Sequence, residues 1–444
     1  GKVVDARSSG TLFRGFEIIL KGRDPRDAQH LAQRVCGICS AAHASAASLT
    51  LESAFGAKPP SNARIIRNLV AGADFLQSHI LHFYLLTALD YFVGPENPPF
   101  IPGIKGDYRL SKEMNSEYLD HYIGALEVRR KIHEMTAIFG GKMPHHQTSV
   151  PGGVTEKPTV DKIASFLWRL REIIDFIENV YLPDVLRIAE VYKDYSKIGK
   201  GYGNWLCYGG FDRDDRGKEK LFKSGRFTDG EIKSMDAAKI AEDVRFSWYE
   251  PKISGKNPGE SDTFPAPRKP DAYSWLKSPR YDGKPYELGP LARMWISGDY
   301  RKGISVMDRH IARAIETKKI ARAMEEWVLQ LRPGKVVYNP CKVPRSGQGM
   351  GLTEAPRGSL GHWIKISNSK IAMYQIVTPS NWNCSPRDDK GQPGPMEKSL
   401  IGTPVADPEN PIEVMRVIRS YDPCLACSVH LLVPGRKLSG FRVC

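Results

Sequence analysis

No run of about 18 uncharged apolar residues occurs in the chain, so nothing in it reads as a membrane span. Cysteine is sparse. Eight occur in 444 residues, at 36, 39, 207, 341, 384, 424, 427 and 444, too few for a disulfide scaffold of this size. The opening GKVVDARSSG lacks the basic-then-apolar layout of a signal peptide. Lys2 to Ala6 reads as the end of a strand, and we take Gly1 to follow an earlier segment. Internal repeats, low-complexity tracts and zinc-finger, homeodomain or RNA-recognition signatures are also missing.

What is there is a basic but well-mixed chain. Lys and Arg number 64 against 50 Asp and Glu, a formal charge of +14 and a pI near 9.3. Such a balance raises nucleic acid as a partner. However, the basic residues interleave with acids, as in Lys218–Lys223 and Lys318–Glu326. We therefore expect no nucleic acid, but a solvated basic surface or one facing an acidic partner or anionic lipid heads. Hydrophobic residues at 41% and charged residues at 26% indicate an ordinary globular chain.

Ile65, Ile66, Leu69, Val70, Ala73, Leu76, Ile80 and Tyr84 recur at helical spacing and predict a helix from Asn62 to near Phe92. Further helices are expected from Ser116 to Phe139, from Thr159 to about Lys193 with a kink at Pro183, and from Ile304 to Leu331. Four long, apolar-faced helices imply a central bundle. KIAMYQIVTP is the clearest strand, and a short helix near Pro411–Ile418 leads into the last cysteine pair. The expected fold is α-rich α+β, one large multi-lobed unit. Its parts are 1–60 with the first cysteine pair, a bundle from 61–204 and 303–333, a mixed side lobe at 205–302, a C-terminal lobe at 334–430 and a tail at 431–444.

Four cysteines form two CxxC pairs near opposite ends of the chain. Thiolates are soft ligands that favour nickel, zinc, copper(I) and iron. On spacing alone, structural zinc is the commoner reading. The surrounding residues change it. TLFRGFEIILKGRDPRDA followed by RVCGICSAAH resembles the Arg-x-Cys-Gly-x-Cys-x-x-x-His signature of nickel–iron hydrogenase large subunits, and RSYDPCLACSVH resembles their Asp-Pro-Cys-x-x-Cys-x-x-His. EVRRKIHEMTAIFGGKMPH, GPLARM, GLTEAPRGSLGHW and YQIVTPSNWNCSPRD resemble intervening family segments in the family's order. The wording FRGFEIILKGRDPRDA looks most like the membrane-associated respiratory uptake group.

The resemblance implies reversible heterolytic cleavage of H2 at a nickel–iron centre, the iron carrying one carbon monoxide and two cyanides. By matching position, Cys36 and Cys424 are terminal nickel ligands, Cys39 and Cys427 bridge to iron, and the terminal thiolate of Cys424 is the base. Arg357 lies over the open metal position and, with Pro356 and Ser380, surrounds the cyanides. Asp90 and Asp422 match carboxylates that pair with this arginine, since an unpaired buried guanidinium is costly. His43 is expected to orient a ligand. Glu17, the carbonyl of Ile376 and His430 match ligands of a magnesium, or another divalent ion. Electrons pass to the iron–sulfur clusters of a small subunit, and on to a membrane cytochrome b or quinone-linked acceptor. The large subunit then sits peripherally on the outer face of a membrane.

Cys207, Cys341 and Cys384 read as small structural residues, and His145–His146 as structural histidines. The family carries an Arg-Ile-Glu-Gly-His segment upstream of FRGFE, whose glutamate relays protons, and the sequence begins downstream of it. It also runs past His430 into LLVPGRKLSGFRVC, resembling a maturation propeptide. A quinone-binding relative of the respiratory complex I large subunit is the alternative from another class, but its members lack the paired cysteines. A structural zinc protein and a metal-free precursor are the other readings.

Overall fold

The computed structural model describes residues 1–95 and 106–424, together with the backbone of 428–433 and 436–442. Nine helices and three strands suffice to place the site. The helices are α1 (Phe16–Leu20), α2 (Ser40–Phe55), α3 (Ser61–Leu81), α4 (Lys112–Gly140), α5 (Val160–Phe176), α6 (Leu182–Val191), α7 (Val306–Gln330), α8 (Pro379–Asn383) and α9 (Ile412–Ser420). The strands are β1 (Ser346–Ala355), β2 (Gly358–Ser367) and β3 (Lys370–Val377), paired antiparallel in that order.

Local chemistry sets the helix ends. Ser111 and Thr159 accept amide hydrogen bonds at the starts of α4 and α5, and Ser305 with Asp308 forms a reciprocal capping box that opens α7. Gly56 and Gly141, both at positive φ, end α2 and α4. The expected break at Pro183 takes a particular form. A π-helical turn at Ile177–Tyr181 joins α5 to α6, so the proline falls in the first turn of α6, where its missing N–H costs little.

The buried faces of α3 and α7 pack together, with α4 and α5 alongside, around one large apolar core. A second core lies between α2 and the sheet, and it contains Cys36 and Cys39. The contact is unusually close for a stated reason. Ala46, Thr50 and Ala54 recur every four residues along α2, and Gly347, Gly349 and Gly351 alternate along β1. A side-chain carbon at Gly349 or Gly351 would collide with the α2 backbone, so glycine is what lets helix and strand touch. Residues between Trp205 and Tyr281 form short antiparallel pairs at the side, such as Trp205–Cys207 with Gly225–Thr228. Ser428–Val433 pairs antiparallel with Arg436–Arg442. The α-rich α+β expectation holds.

Candidate metal centre

Cys36 follows a short 3-10 turn and Cys39 precedes the first residue of α2. The segment between them folds onto its own sulfur: Cys36 Sγ accepts from the amides of Ile38 at 3.4 Å and Cys39 at 3.2 Å. From α3, Gln77 Nε2 donates to the Ile38 carbonyl at 2.9 Å and lies 3.3 Å from Asp74 Oδ1. This half of the site is held from beneath.

The other half arrives along α9. Beyond Ser420 the chain turns through Asp422, whose φ of 53° is left-handed and immediately precedes Pro423, an arrangement proline disfavours. Arg357 holds it there. Its Nε donates to the Asp422 carbonyl at 2.9 Å, and Nη2 lies 2.9 Å from Oδ1. Arg313 of α7 donates to the Ser420 carbonyl at 3.1 Å and acts on the same carboxylate. The Cys424 amide donates to Ser380 Oγ of α8 at 3.2 Å. As a result Cys36 Sγ and Cys424 Sγ stand 3.3 Å apart, and the sulfurs of Cys36, Cys39 and Cys424 all lie within 4.8 Å of one another. Cys36 and Cys39 are buried and Cys424 is exposed.

Such crowding makes the three thiols share protons. Hydrogen bonds from Cys36 and Cys39 hold Cys424 well below the usual thiol range, helped by Arg357, while the same contacts and burial push Cys39 up. Burial opposes the charge of Arg357, but Asp422 and the three cysteines outweigh it. Burial also raises Asp422, against the pull of Arg357 and Arg313. Among the described residues Arg357 Nη1 and Asp422 Oδ2 have no hydrogen-bond partner, so one donor and one acceptor remain for groups bound beside the sulfurs. A soft donor set with a spare cationic donor fits a soft metal carrying polar ligands.

The other expected residues fall as follows. Pro356 is buried, and its carbonyl accepts from Arg293 at 2.8 Å. His43 is buried on α2, and burial pushes its imidazole down to about 4, with Cys36 opposing. Asp90 requires a correction: its carboxylate pairs with Arg419 of α9, and Arg357 takes Asp422 alone. The reason lies in the end of α3, which runs into a π-helical turn at His82–Thr87 and a 3-10 turn at Ala88–Asp90, carrying Asp90 to α9. Glu17 is half-buried on α1, which packs on β3. Burial raises its carboxyl, with Lys277 opposing, and Lys277 donates to Gln375 next to Ile376 at 3.1 Å. Cys427 and the side chain of His430 lie outside the described residues. His146 bonds Ser149 at 2.8 Å, the His145 amide donates to Ser40 at 2.9 Å, and neither joins the sulfurs. Cys207 and Cys384 are buried away from the cluster.

Sequence reading missed four residues here. Asp74 is fully buried on α3, and burial, then the Cys36 charge, pushes its carboxyl up to about 8. Gln77 lies one turn on. A carboxylate and an amide on the apolar stripe of a helix were the available signal. Arg293, inside the GPLARM segment, donates to Glu354, Ala355 and Pro356, and so fixes the turn that presents Arg357. Arg313 was hidden within α7.

The profile of the nickel-dependent hydrogenase family matches residues 14–94, 96–303 and 298–430. The chain belongs to that family. It is the catalytic large subunit of a nickel–iron hydrogenase, an oxidoreductase acting on H2. It is 44% identical to the periplasmic [NiFeSe] hydrogenase large subunit of Desulfomicrobium baculatum, over 97% of this chain and 91% of that one. The quinone-reactive Ni/Fe-hydrogenase large chain of Wolinella succinogenes is 32% identical, over 99% and 94%. The structure of the Ni-Fe-Se hydrogenase from Desulfovibrio vulgaris Hildenborough in the reduced state shares 49% identity with a TM-score of 0.93, covering 96% of this chain and 94% of that one. Uptake-type hydrogenase relatives are represented, but at lower identity than the selenium-named ones.

Proposed function

We propose that Cys36, Cys39, Cys424 and Cys427 together would hold nickel and an iron with one carbon monoxide and two cyanides. The observation that carries this reading is the cluster of three sulfurs beside the Arg357–Asp422 pair. When bound, the metal pair supplies the heterolytic splitting of H2. The chain's residues do the rest. Cys424 Sγ, left deprotonated by its neighbours, takes the proton. Arg357 holds a fixed positive charge beside the sulfurs, and its Nη1, unpartnered among the described residues, would donate to a polar ligand bound there. Asp422 keeps Arg357 in place, Pro356 and Ser380 complete the surround of the cyanides, and His43 orients a cysteine. Asp90 acts at one remove, by fixing α9 through Arg419.

Glu17, the Ile376 carbonyl and His430 would hold magnesium or another divalent ion, the two oxygens being the ligands magnesium favours. A small subunit carries iron–sulfur clusters and passes electrons to a cytochrome b or quinone-linked acceptor. Among the described residues no helix is long and apolar enough to cross a membrane. With a relative named periplasmic, we place the enzyme peripherally on the outer membrane face. Relatives at 44–49% identity are named for selenium, yet all four ligand positions read cysteine here, and we propose four sulfurs.

The test is elemental analysis of the purified two-subunit protein alongside H2-dependent dye reduction. Equimolar nickel without selenium, and its loss in Cys36→Ser, is the expected result. Equimolar zinc would overturn the metal reading, and equimolar selenium would overturn the four-sulfur part of it.

A further inference from the structure

Three consecutive residues, Glu287, Leu288 and Gly289, touch the three pieces of chain that converge on Cys424. Glu287 is buried, and its carboxylate lies 3.0 Å from the hydroxyl of Tyr421, the residue before Asp422. Arg309 of α7 grips that carboxylate with two donors, Nε at 2.7 Å and Nη2 at 2.9 Å. Leu288 meets α8. Its amide donates to Asn383 Oδ1 at 2.9 Å, and its carbonyl accepts from Asn383 Nδ2 at 3.1 Å. Gly289, at φ 117°, meets the turn that carries Arg357. A side-chain carbon there would stand 3.0 Å from the Arg357 carbonyl oxygen, and one on Gly358 would stand 2.7 Å from Leu288.

Asn383 stands where two of these pieces are tied together. It closes α8, a helix of five residues that Thr378 and Asn381 cap at the other end. Ser380, three residues back and one turn below, accepts the Cys424 amide at 3.2 Å. A side chain that pairs with both backbone groups of one residue fixes distance and rotation together, as a neighbouring strand does. Asn383 and Leu288 are both buried, so water cannot replace either bond. The same chain supplies a matched clamp elsewhere. Asn62 of α3 donates to the Arg332 carbonyl at 2.9 Å, accepts from its amide at 3.0 Å and is as buried as Asn383. It lies about four turns along α3 from Gln77, away from the sulfurs.

We propose that Asn383 is a positioning residue, which sets Ser380 directly, and Arg357 through Leu288 and Gly289, at one fixed spacing beside Cys424. The effect on the metals rests on the reading given above, in which Ser380 and Arg357 surround the cyanides. Loosening the clamp then changes what the cyanides meet, while the carbonyl is affected only through the iron.

The test is the infrared spectrum, nickel content and melting temperature of the purified two-subunit enzyme, unmutated and as Asn383→Leu, Asn383→Ala and Asn62→Ala. Asn383→Leu keeps the size of the side chain and loses both bonds. Both Asn383 variants should shift the two cyanide bands by more than the carbonyl band at unchanged nickel content. Asn62→Ala should lower the melting temperature with every band in place. Folded Asn383 variants without nickel, beside a fully loaded Asn62→Ala, would also support the proposal. Unmoved cyanide bands in the loaded Asn383 variants would overturn it. So would Asn62→Ala that moves the bands or loses nickel as they do, since the effect is then one of stability. Loss of folding in both Asn383 variants would make the residue structural and sink the proposal as well. An unmutated enzyme without carbonyl and cyanide bands would instead count against the metal reading.

Discussion

The N-terminal cysteine pair rests on backbone packed against backbone, whereas Cys424 is delivered by a turn that arginine side chains hold in place. Below Cys36 and Cys39, α2 lies on the glycine seam of β1, and Gln77 fastens the intervening carbonyl. A buried ion pair, Glu52 with Arg67 of α3, also ties α2 to the bundle. On the other side, α9 is anchored by Arg416, which is fully buried among the rings of Tyr91, Tyr192 and Tyr195 at 4.6, 4.7 and 4.8 Å and donates to the Tyr195 hydroxyl at 2.7 Å. Arg419, Arg313 and Arg357 continue the series to Asp422. The difference teaches that one half is a preformed platform and the other a docked one, aligned by directional ion pairs. Its strained left-handed Asp422, of a kind costing about 1–3 kcal/mol, persists only because Arg357 holds it.

The comparison can be broken at several points. Cys424→Ser should abolish H2 turnover in the two-subunit enzyme, and a fully active variant would remove Cys424 from the ligand set. Arg357→Lys should leave nickel bound but cut turnover by a factor of about 100 or more, since a point charge cannot reproduce the fork on Asp422. Near-normal turnover would free Arg357 of any role over the metals. Arg416→Met should lower the unfolding free energy by about 3 kcal/mol, because buried acceptors lose a charged donor. Hydrogen exchange should show the loosening concentrated in α9, and uniform loosening would contradict separate anchoring. Gly351→Ala should cost about 1–3 kcal/mol by overpacking and loosen α2, leaving α9 protected. Unchanged stability would mean the seam is slack.

The smallest effect concerns Glu397, which accepts from the Ser8 amide at 2.8 Å and the Tyr273 hydroxyl at 2.9 Å, tying the first residues to the C-terminal half. Burial pushes its carboxyl from the ordinary 4.5 up to about 7. The folded state thus prefers the protonated form. Stability from this group is full below about pH 4.5 and is lost as pH rises to about 7, by about 1.4 kcal/mol for each step of one in pH. Glu397→Gln should flatten the stability curve in that window. A parent curve already flat there would contradict the account.

Much of this was legible beforehand, and the exceptions have a pattern. The helical stretches 61–90, 112–140, 160–191 and 306–330 were located to within a few residues, because each buries a continuous stripe, but the π-helical turns that interrupt the first and third were not. The cysteine pairs, Arg357, Asp422 and Ser380 came through the local wording of the motifs, and Cys36, Cys39 and Cys424 do meet beside them in space. Asp90 was misassigned to Arg357 because the π-helical turn that swings it to Arg419 leaves no periodic mark. Asp74 and Arg313 escaped notice since a polar residue inside a helix does not announce which buried partner it meets. The seam of Gly347, Gly349 and Gly351 is visible in the sequence, but its meaning depends on which helix lies across it.

The most direct test of the central claim is an infrared spectrum of the purified two-subunit protein in the carbonyl and cyanide stretching region. Sharp bands from one carbonyl and two cyanides, lost in Cys424→Ser, are the predicted result. A protein that carries equimolar nickel yet shows no such bands would contradict the nickel–iron centre placed on these cysteines.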